Sequence, residues 1–108
     1  MTHAIRIHRT GGPEVLQWEA VELPPPATGE VRLRHHAVGL NFIDTYHRSG
    51  LYPLTLPSGL GMEGAGVVEA VGDGVAELKV GDRVAYTSGP LDAYAEARNI
   101  EARHLVPL

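Results

Sequence analysis

The residues from Gly39 to Gly72 read G-L-N-F-I-D-T-Y-H-R-S-G-L-Y-P-L-T-L-P-S-G-L-G-M-E-G-A-G-V-V-E-A-V-G. Three local signals follow one another there. Asn41 stands where a helix N-cap belongs, and Asp44 falls in the first turn, where a negative charge meets the positive end of the helix dipole. Phe42 to Arg48 is therefore predicted as a short helix. Tyr52 to Pro57 contains Pro53 and Pro57 and is predicted as a loop. Gly66 to Val71 is small, apolar and β-branched apart from Glu69, which is the composition of a strand. The region thus holds one small helix inside a chain whose other segments are extended.

Upstream, Ala4 to His8 and Val15 to Leu23 alternate polar and apolar residues around the turn cluster Thr10-Gly11-Gly12-Pro13, which predicts a hairpin. Pro24-Pro25-Pro26 cannot donate ladder hydrogen bonds and forms an extended connector. Glu30 to Val38 is predicted as a third strand with Arg32 and Arg34 on one face. Downstream, Gly72-Asp73-Gly74 and Gly81-Asp82 are turns. Arg83 to Thr87, Leu91 to Arg98 and His104 to Val106 are predicted strands. Seven or eight short strands separated by frequent turns give a mainly β fold, a closed or partly open β-barrel with one or a few short helices.

The chain has 108 residues, 44% of them hydrophobic, which fits one globular domain over residues 1–108. Its net charge of −4, with Lys79 as the one lysine and the arginines scattered, argues against a nucleic-acid surface. The absence of cysteine excludes disulfides, thiolate zinc sites and thiol nucleophiles. The first residues lack the apolar core of a signal peptide, and no long apolar run suggests a membrane span, so the expected location is cytoplasmic.

Gly59-Leu60-Gly61-Met62-Glu63-Gly64 matches G-x-G-x-x-G by letter. A dinucleotide fingerprint opens a helix, however, whereas strand-forming Val67-Val68 follow here. These glycines are better read as sites of close backbone approach. Of the six histidines, His35 and His36 are neighbours on a strand and point to opposite faces, so they are read as strand or surface residues rather than metal ligands. Asp44 and Glu63 could form an acid–base pair on residue type alone. The favoured reading is that Asp44 caps its own helix and Glu63 pairs with an arginine such as Arg48 or Arg83. Tyr46 and Tyr52 flank the helix end and could be core residues or a flat binding face.

With Lys79-Val-Gly-Asp-Arg-Val-Ala-Tyr86, the opening Gly11-Gly-Pro-Glu-Val-Leu16 and Asn41 to Tyr52, the chain resembles medium-chain dehydrogenases/reductases. Within them it is similar to the zinc-independent quinone oxidoreductase, or zeta-crystallin-like, branch. The resemblance spans essentially the whole chain. It implies a GroES-like catalytic domain followed in a longer protein by a Rossmann domain that this chain does not contain. Zinc-dependent relatives have Cys where this chain has Asn41 and His where it has Met62, while Glu63 matches a retained acid. The resemblance therefore implies no metal.

The same resemblance implies NADPH as cofactor, with Asn41, Phe42, Ile43, Asp44 and Tyr46 towards its nicotinamide end and the adenine and phosphates on the further domain. Asn41 and Tyr52 are then the candidate catalytic residues, orienting a quinone. The implied parent is a homodimer, while a lone domain is expected to be inactive and to self-associate through an exposed cleft wall. Two alternatives remain at this point: an NADPH-dependent enoyl or alkenal reductase, and a stand-alone GroES-like interaction module without catalysis.

Overall fold

The computed structural model describes residues 2–108. It is mainly β, as the strand spacing predicts, but the strands fall into two sheets that do not close into a barrel. The first sheet has the order β2-β1-β4, from β1 (Thr2–Ile7), β2 (Gln17–Val21) and β4 (Ser58–Gly59). The second has the order β7-β3-β5-β6-β8, from β3 (Glu30–Gly39), β5 (Glu63–Val71), β6 (Arg83–Tyr86), β7 (Ala97–Glu101) and β8 (Val106–Pro107). Every pairing is antiparallel. One α-helix, α1 (Phe42–Ser49), follows β3 directly. No helix among the described residues is long and apolar enough to cross a membrane.

The alternation read in β3 is real. Val31 and Leu33 are fully buried, while Arg34 turns outward and pairs with Glu69 across the β3–β5 ladder at 3.0 Å. The larger core gathers under the second sheet around Val31, Leu33, Val68, Leu78, Val84, Tyr86 and Ile100. A smaller one sits beneath the first sheet around Ile7, Val15 and Leu60. Truncating any of the larger side chains to alanine in such a core costs about 2–5 kcal/mol.

Four sequence expectations shift. The predicted β1–β2 hairpin forms, but Pro13–Val15 is a 3-10 turn that leaves Gln17–Val21 as the strand. β5 begins at Glu63 rather than Gly66, because the backbone of Gly39 already pairs there. His104 to Val106 is not one strand: Ala102–His104 is a 3-10 turn, and the short β8 follows.

Leu91 to Arg98 is irregular as far as Glu96 and enters β7 only at Ala97. The reason is where its backbone bonds go. The N–H groups of Asp92 and Ala93 bond to Gly61 O, that of Tyr94 bonds to Leu60 O, and Tyr94 O accepts from Ile5 N at 2.7 Å. The segment crosses between the sheets and serves both, so it cannot continue a single ladder. Its alternation survives as burial, with Ala93, Ala95 and Ala97 inward.

The G-x-G-x-x-G letters run from β4 into β5 and open no helix. Gly61 has φ +97, and a Cβ placed on it would lie 2.7 Å from the Tyr94 ring. Only glycine meets both conditions without strain.

Candidate active site

The end of β3 delivers the chain into α1, and that junction builds the site. Asn41 is extended (φ −117, ψ 149) and forms a capping box with Asp44. The Asp44 carboxylate accepts the Asn41 backbone N–H at 3.1 Å. Asp44 is only 3% exposed and also accepts the Tyr94 hydroxyl hydrogen bond. Burial raises the Tyr94 pKa, and the Asp44 hydrogen bond and charge raise it further. Asp44 therefore faces inward as a structural group, as its capping position suggests.

Beside this junction lies a cleft of about 300 Å³ lined by Asn41, Ile43, Met62, Glu63 and Thr87. It continues into a second hollow along the ends of β3, β5 and β6, which Glu63 and Thr87 also border. The polar centre of the cleft is a direct contact: Asn41 Nδ2 donates to Glu63 Oε1 at 3.0 Å. This corrects the arginine pairing expected for Glu63. Arg48 is turned away and donates from Nε to Gly11 O at 3.2 Å. Asp44 and Glu63 hence form no acid–base pair: both are held by Asn41, but Asp44 takes its backbone N–H and the Tyr94 hydroxyl on the buried side, and only Glu63 lines the cleft.

Of the catalytic and cofactor-binding candidates drawn from the resemblance, Asn41 and Ile43 line this cleft. Phe42, Tyr46 and Tyr52 form a row instead, in edge-to-face contacts with 5.4 Å between successive ring centroids. Phe42 is 76% exposed and Tyr52 47%. Tyr52 therefore belongs to the outer aromatic row and is not among the residues that line the Asn41 cleft. His47, buried on α1, lies against the Tyr52 ring at 6.1 Å.

The reading of His35 as a surface residue is corrected. It shares its parity with Val31 and Leu33 and is tucked inward. Its Nδ1 lies 2.8 Å from Ala95 O and its Nε2 lies 2.7 Å from the Tyr86 hydroxyl. A carbonyl can only accept, so Nδ1 carries the proton and Tyr86 donates to Nε2. The Tyr86 oxygen in turn accepts from Arg98 Nη1 at 3.3 Å. Burial lowers the His35 pKa; the Ala95 carbonyl opposes this and Arg98 adds to it. Arg98 is 2% exposed and also bonds Pro90 O. This network braces the wall beneath the second hollow. Parity with Val31 and Leu33 was a usable signal for His35, whereas the Glu63 contact with Asn41 had none in the local sequence.

Among the described residues no three His, Asp or Glu side chains gather to hold a metal. The cleft itself offers an amide, a thioether and one carboxylate, a poor set for zinc, which prefers thiolate and imidazole.

An open antiparallel β module with a single capped helix at its cleft is the GroES-like class of domain. The chain matches the alcohol dehydrogenase GroES-like domain over residues 27–108 and belongs to that family. It is 56% identical over all of its length to a quinone oxidoreductase of Pseudomonas aeruginosa, covering 34% of that protein. It is 46% identical over 98% of its length to a 2-haloacrylate reductase of a Burkholderia species, covering 33% of it. It superposes with a TM-score of 0.95 on the crystal structure of Escherichia coli quinone oxidoreductase complexed with NADPH, at 50% identity, over 100% of this chain and 33% of that one. The chain thus spans about a third of the length of the relatives it matches.

Proposed function

We propose that this chain is the substrate-side catalytic domain of a zinc-independent, NADPH-dependent quinone oxidoreductase, with the dinucleotide held mainly by a further domain. The observation that carries this reading is the Asn41 cleft: neutral at Asn41, Ile43, Met62 and Thr87, and set in a chain similar throughout to a quinone oxidoreductase.

The cleft suits the ring end of the cofactor and not its phosphates. Its volume accepts a planar ring, Ile43 and Met62 supply apolar sides, and the Asn41 amide supplies polarity. Phosphates need free backbone N–H groups at a helix N-terminus or a cationic partner. The N-terminus of α1 is already filled by the Asp44 carboxylate, and no Lys or Arg lines the cleft. Bound NADPH supplies the reducing equivalents. Asn41 then orients the acceptor oxygen, Ile43 and Met62 keep water from the ring faces, and the Tyr46–Tyr52 row borders the approach. A quinone is already electrophilic and forms a weakly basic product, so hydrogen bonds suffice where an alkoxide would require a Lewis acid.

Similarity to the 2-haloacrylate reductase favours a second reading, reduction of a conjugated C=C bond. That substrate carries a carboxylate, for which this cleft wall has no cation, so a neutral quinone fits better.

Calorimetry with NADPH and a quinone-reduction assay test the proposal. This chain alone is expected to show neither turnover nor tight binding, and the chain extended by its dinucleotide domain to show both. Micromolar NADPH affinity from the 108 residues alone would overturn the division of labour. A full-length protein that oxidises NADPH with an acrylate and not with a quinone would overturn the substrate.

A further inference from the structure

We infer that Glu63 is a positioning residue: its carboxylate locks the Asn41 amide so that one N–H remains for a ligand carbonyl, and Gly39 provides the clearance for the lock. The inference rests on the quinone reading for the ligand's identity, while the lock itself stands on the geometry.

An ionised carboxylate accepts hydrogen bonds and donates none. The Asn41 atom 3.0 Å from Glu63 Oε1 is therefore nitrogen, because the flipped amide would set two acceptors against each other. The capping box fixes the Asn41 backbone at the N-terminus of α1, with its N–H donated to Asp44. The two donors of Nδ2 then divide, one to Glu63 and one left over. The residue lines the cleft, so the surplus donor is what an incoming ligand meets. A ligand oxygen that accepts, such as a quinone carbonyl, matches it, whereas an N–H or O–H donor does not.

Gly39 makes the lock possible. β3 and β5 pair Gly39 with Glu63, and the Glu63 side chain folds back over the glycine. A Cβ built on Gly39 would lie 1.8 Å from Oε1, 2.4 Å from Cδ and 2.8 Å from Cγ. Any side chain at position 39 would drive Glu63 off its path to Asn41. Three residues thus act as one device: a clearance, an acceptor and an oriented donor.

The test uses this chain, labelled with nitrogen-15. Asn41, Asn99 and Gln17 supply its only side-chain amides, so Asn41→Asp assigns the Asn41 pair by its loss. In the wild type one Asn41 amide hydrogen is expected to exchange with water about tenfold more slowly than those of the exposed Gln17, the scale of one charge-assisted hydrogen bond. Glu63→Gln, whose carbonyl still accepts, should keep that protection within about threefold, again from hydrogen-bond magnitudes. Glu63→Ala, Glu63→Met and Gly39→Ala should abolish it, with circular dichroism reporting that each is folded. Two of these three give the answer if one fails to fold.

Duroquinone is the ligand probe. It should shift the Asn41 amide resonances in the wild type and in Glu63→Gln, with affinity about tenfold weaker in Glu63→Met. Unchanged Asn41 exchange in folded Glu63→Met and Gly39→Ala would overturn the lock. A Glu63-dependent amide that duroquinone does not touch would overturn the quinone as ligand and leave the lock standing.

Discussion

Replacing Asp44 by alanine should be among the most damaging single changes near the site, although Asp44 lies outside the cleft. The carboxylate receives the Asn41 N–H and the Tyr94 hydroxyl. Losing a helix-capping side chain costs about 0.5–2 kcal/mol. Leaving a half-buried hydroxyl without its acceptor adds about 1–3 kcal/mol. One term opposes these: Asp44 Oδ1 is buried without a hydrogen-bond partner, and its desolvation cost vanishes with the carboxylate. The expected net loss is about 2–3 kcal/mol, or a fall in Tm of roughly 10–20 °C for a domain of this size. Urea unfolding followed by far-UV circular dichroism measures it. Tyr94→Phe keeps the ring packed on Gly61 and removes only the hydroxyl, so it should cost about 1–2 kcal/mol. The double variant should be less unstable than the sum by about 1 kcal/mol, because the two single changes break the same bond. An Asp44→Ala variant within about 0.5 kcal/mol of wild type, the range of an ordinary surface change, would refute the reasoning. Strict additivity with Tyr94→Phe would refute the contact.

The folded-state pKa of His35 lies below the unfolded value, so the unfolded chain binds the proton more strongly. The stability this confers is complete above the ordinary histidine value of 6.5 and is lost as pH falls through it towards the folded value; unfolding midpoints of wild type should drop across that window, and His35→Asn should flatten the drop. In a full-length protein, Tyr52→Ala should weaken quinone turnover and Tyr46→Ala NADPH binding, each by roughly five- to thirtyfold; because the two rings touch, steady-state constants of the double variant should fall short of the product of the single effects. Elemental analysis should find no stoichiometric zinc in purified protein, and a full equivalent resistant to mild chelation would contradict the reading of Asn41 and Met62. Light scattering across a concentration series should show self-association through Leu40 and Phe42, which are 84% and 76% exposed, and Phe42→Ser should reduce it.

What the sequence disclosed was what neighbours in the chain decide. The helix at Phe42, its Asn41 and Asp44 cap, the burial of Val31 and Leu33 and the false dinucleotide match all follow from spacing within a few residues. The crossing segment from Leu91 to Ala95 did not show, because its hydrogen-bond partners Leu60 and Gly61 lie far back in the chain. The Asn41–Glu63 contact was hidden for a related reason: it depends on the register that sets Gly39 against Glu63. For Tyr52 the sequence left core residue and binding face both open, and the packing of its ring edge on Tyr46 in the outer row depends on how the loop folds back onto the helix.

The half-buried His35, with the buried Tyr86 and Arg98, gives the approach to the cleft two unlike jaws. On the sheet side, Gly64 passes so close to this trio that a Cβ there would sit 2.9 Å from the imidazole and 3.1 Å from the Tyr86 hydroxyl. That jaw is fixed, since any thickening of it would prise apart a hydrogen-bonded set with no spare room. The helix side carries rings that meet edge-on and stand partly in water. A lineage adapting this scaffold to a bulkier or slimmer acceptor therefore has one side on which to experiment, and diversification of substrate range should be written in the aromatic row rather than in the glycines opposite.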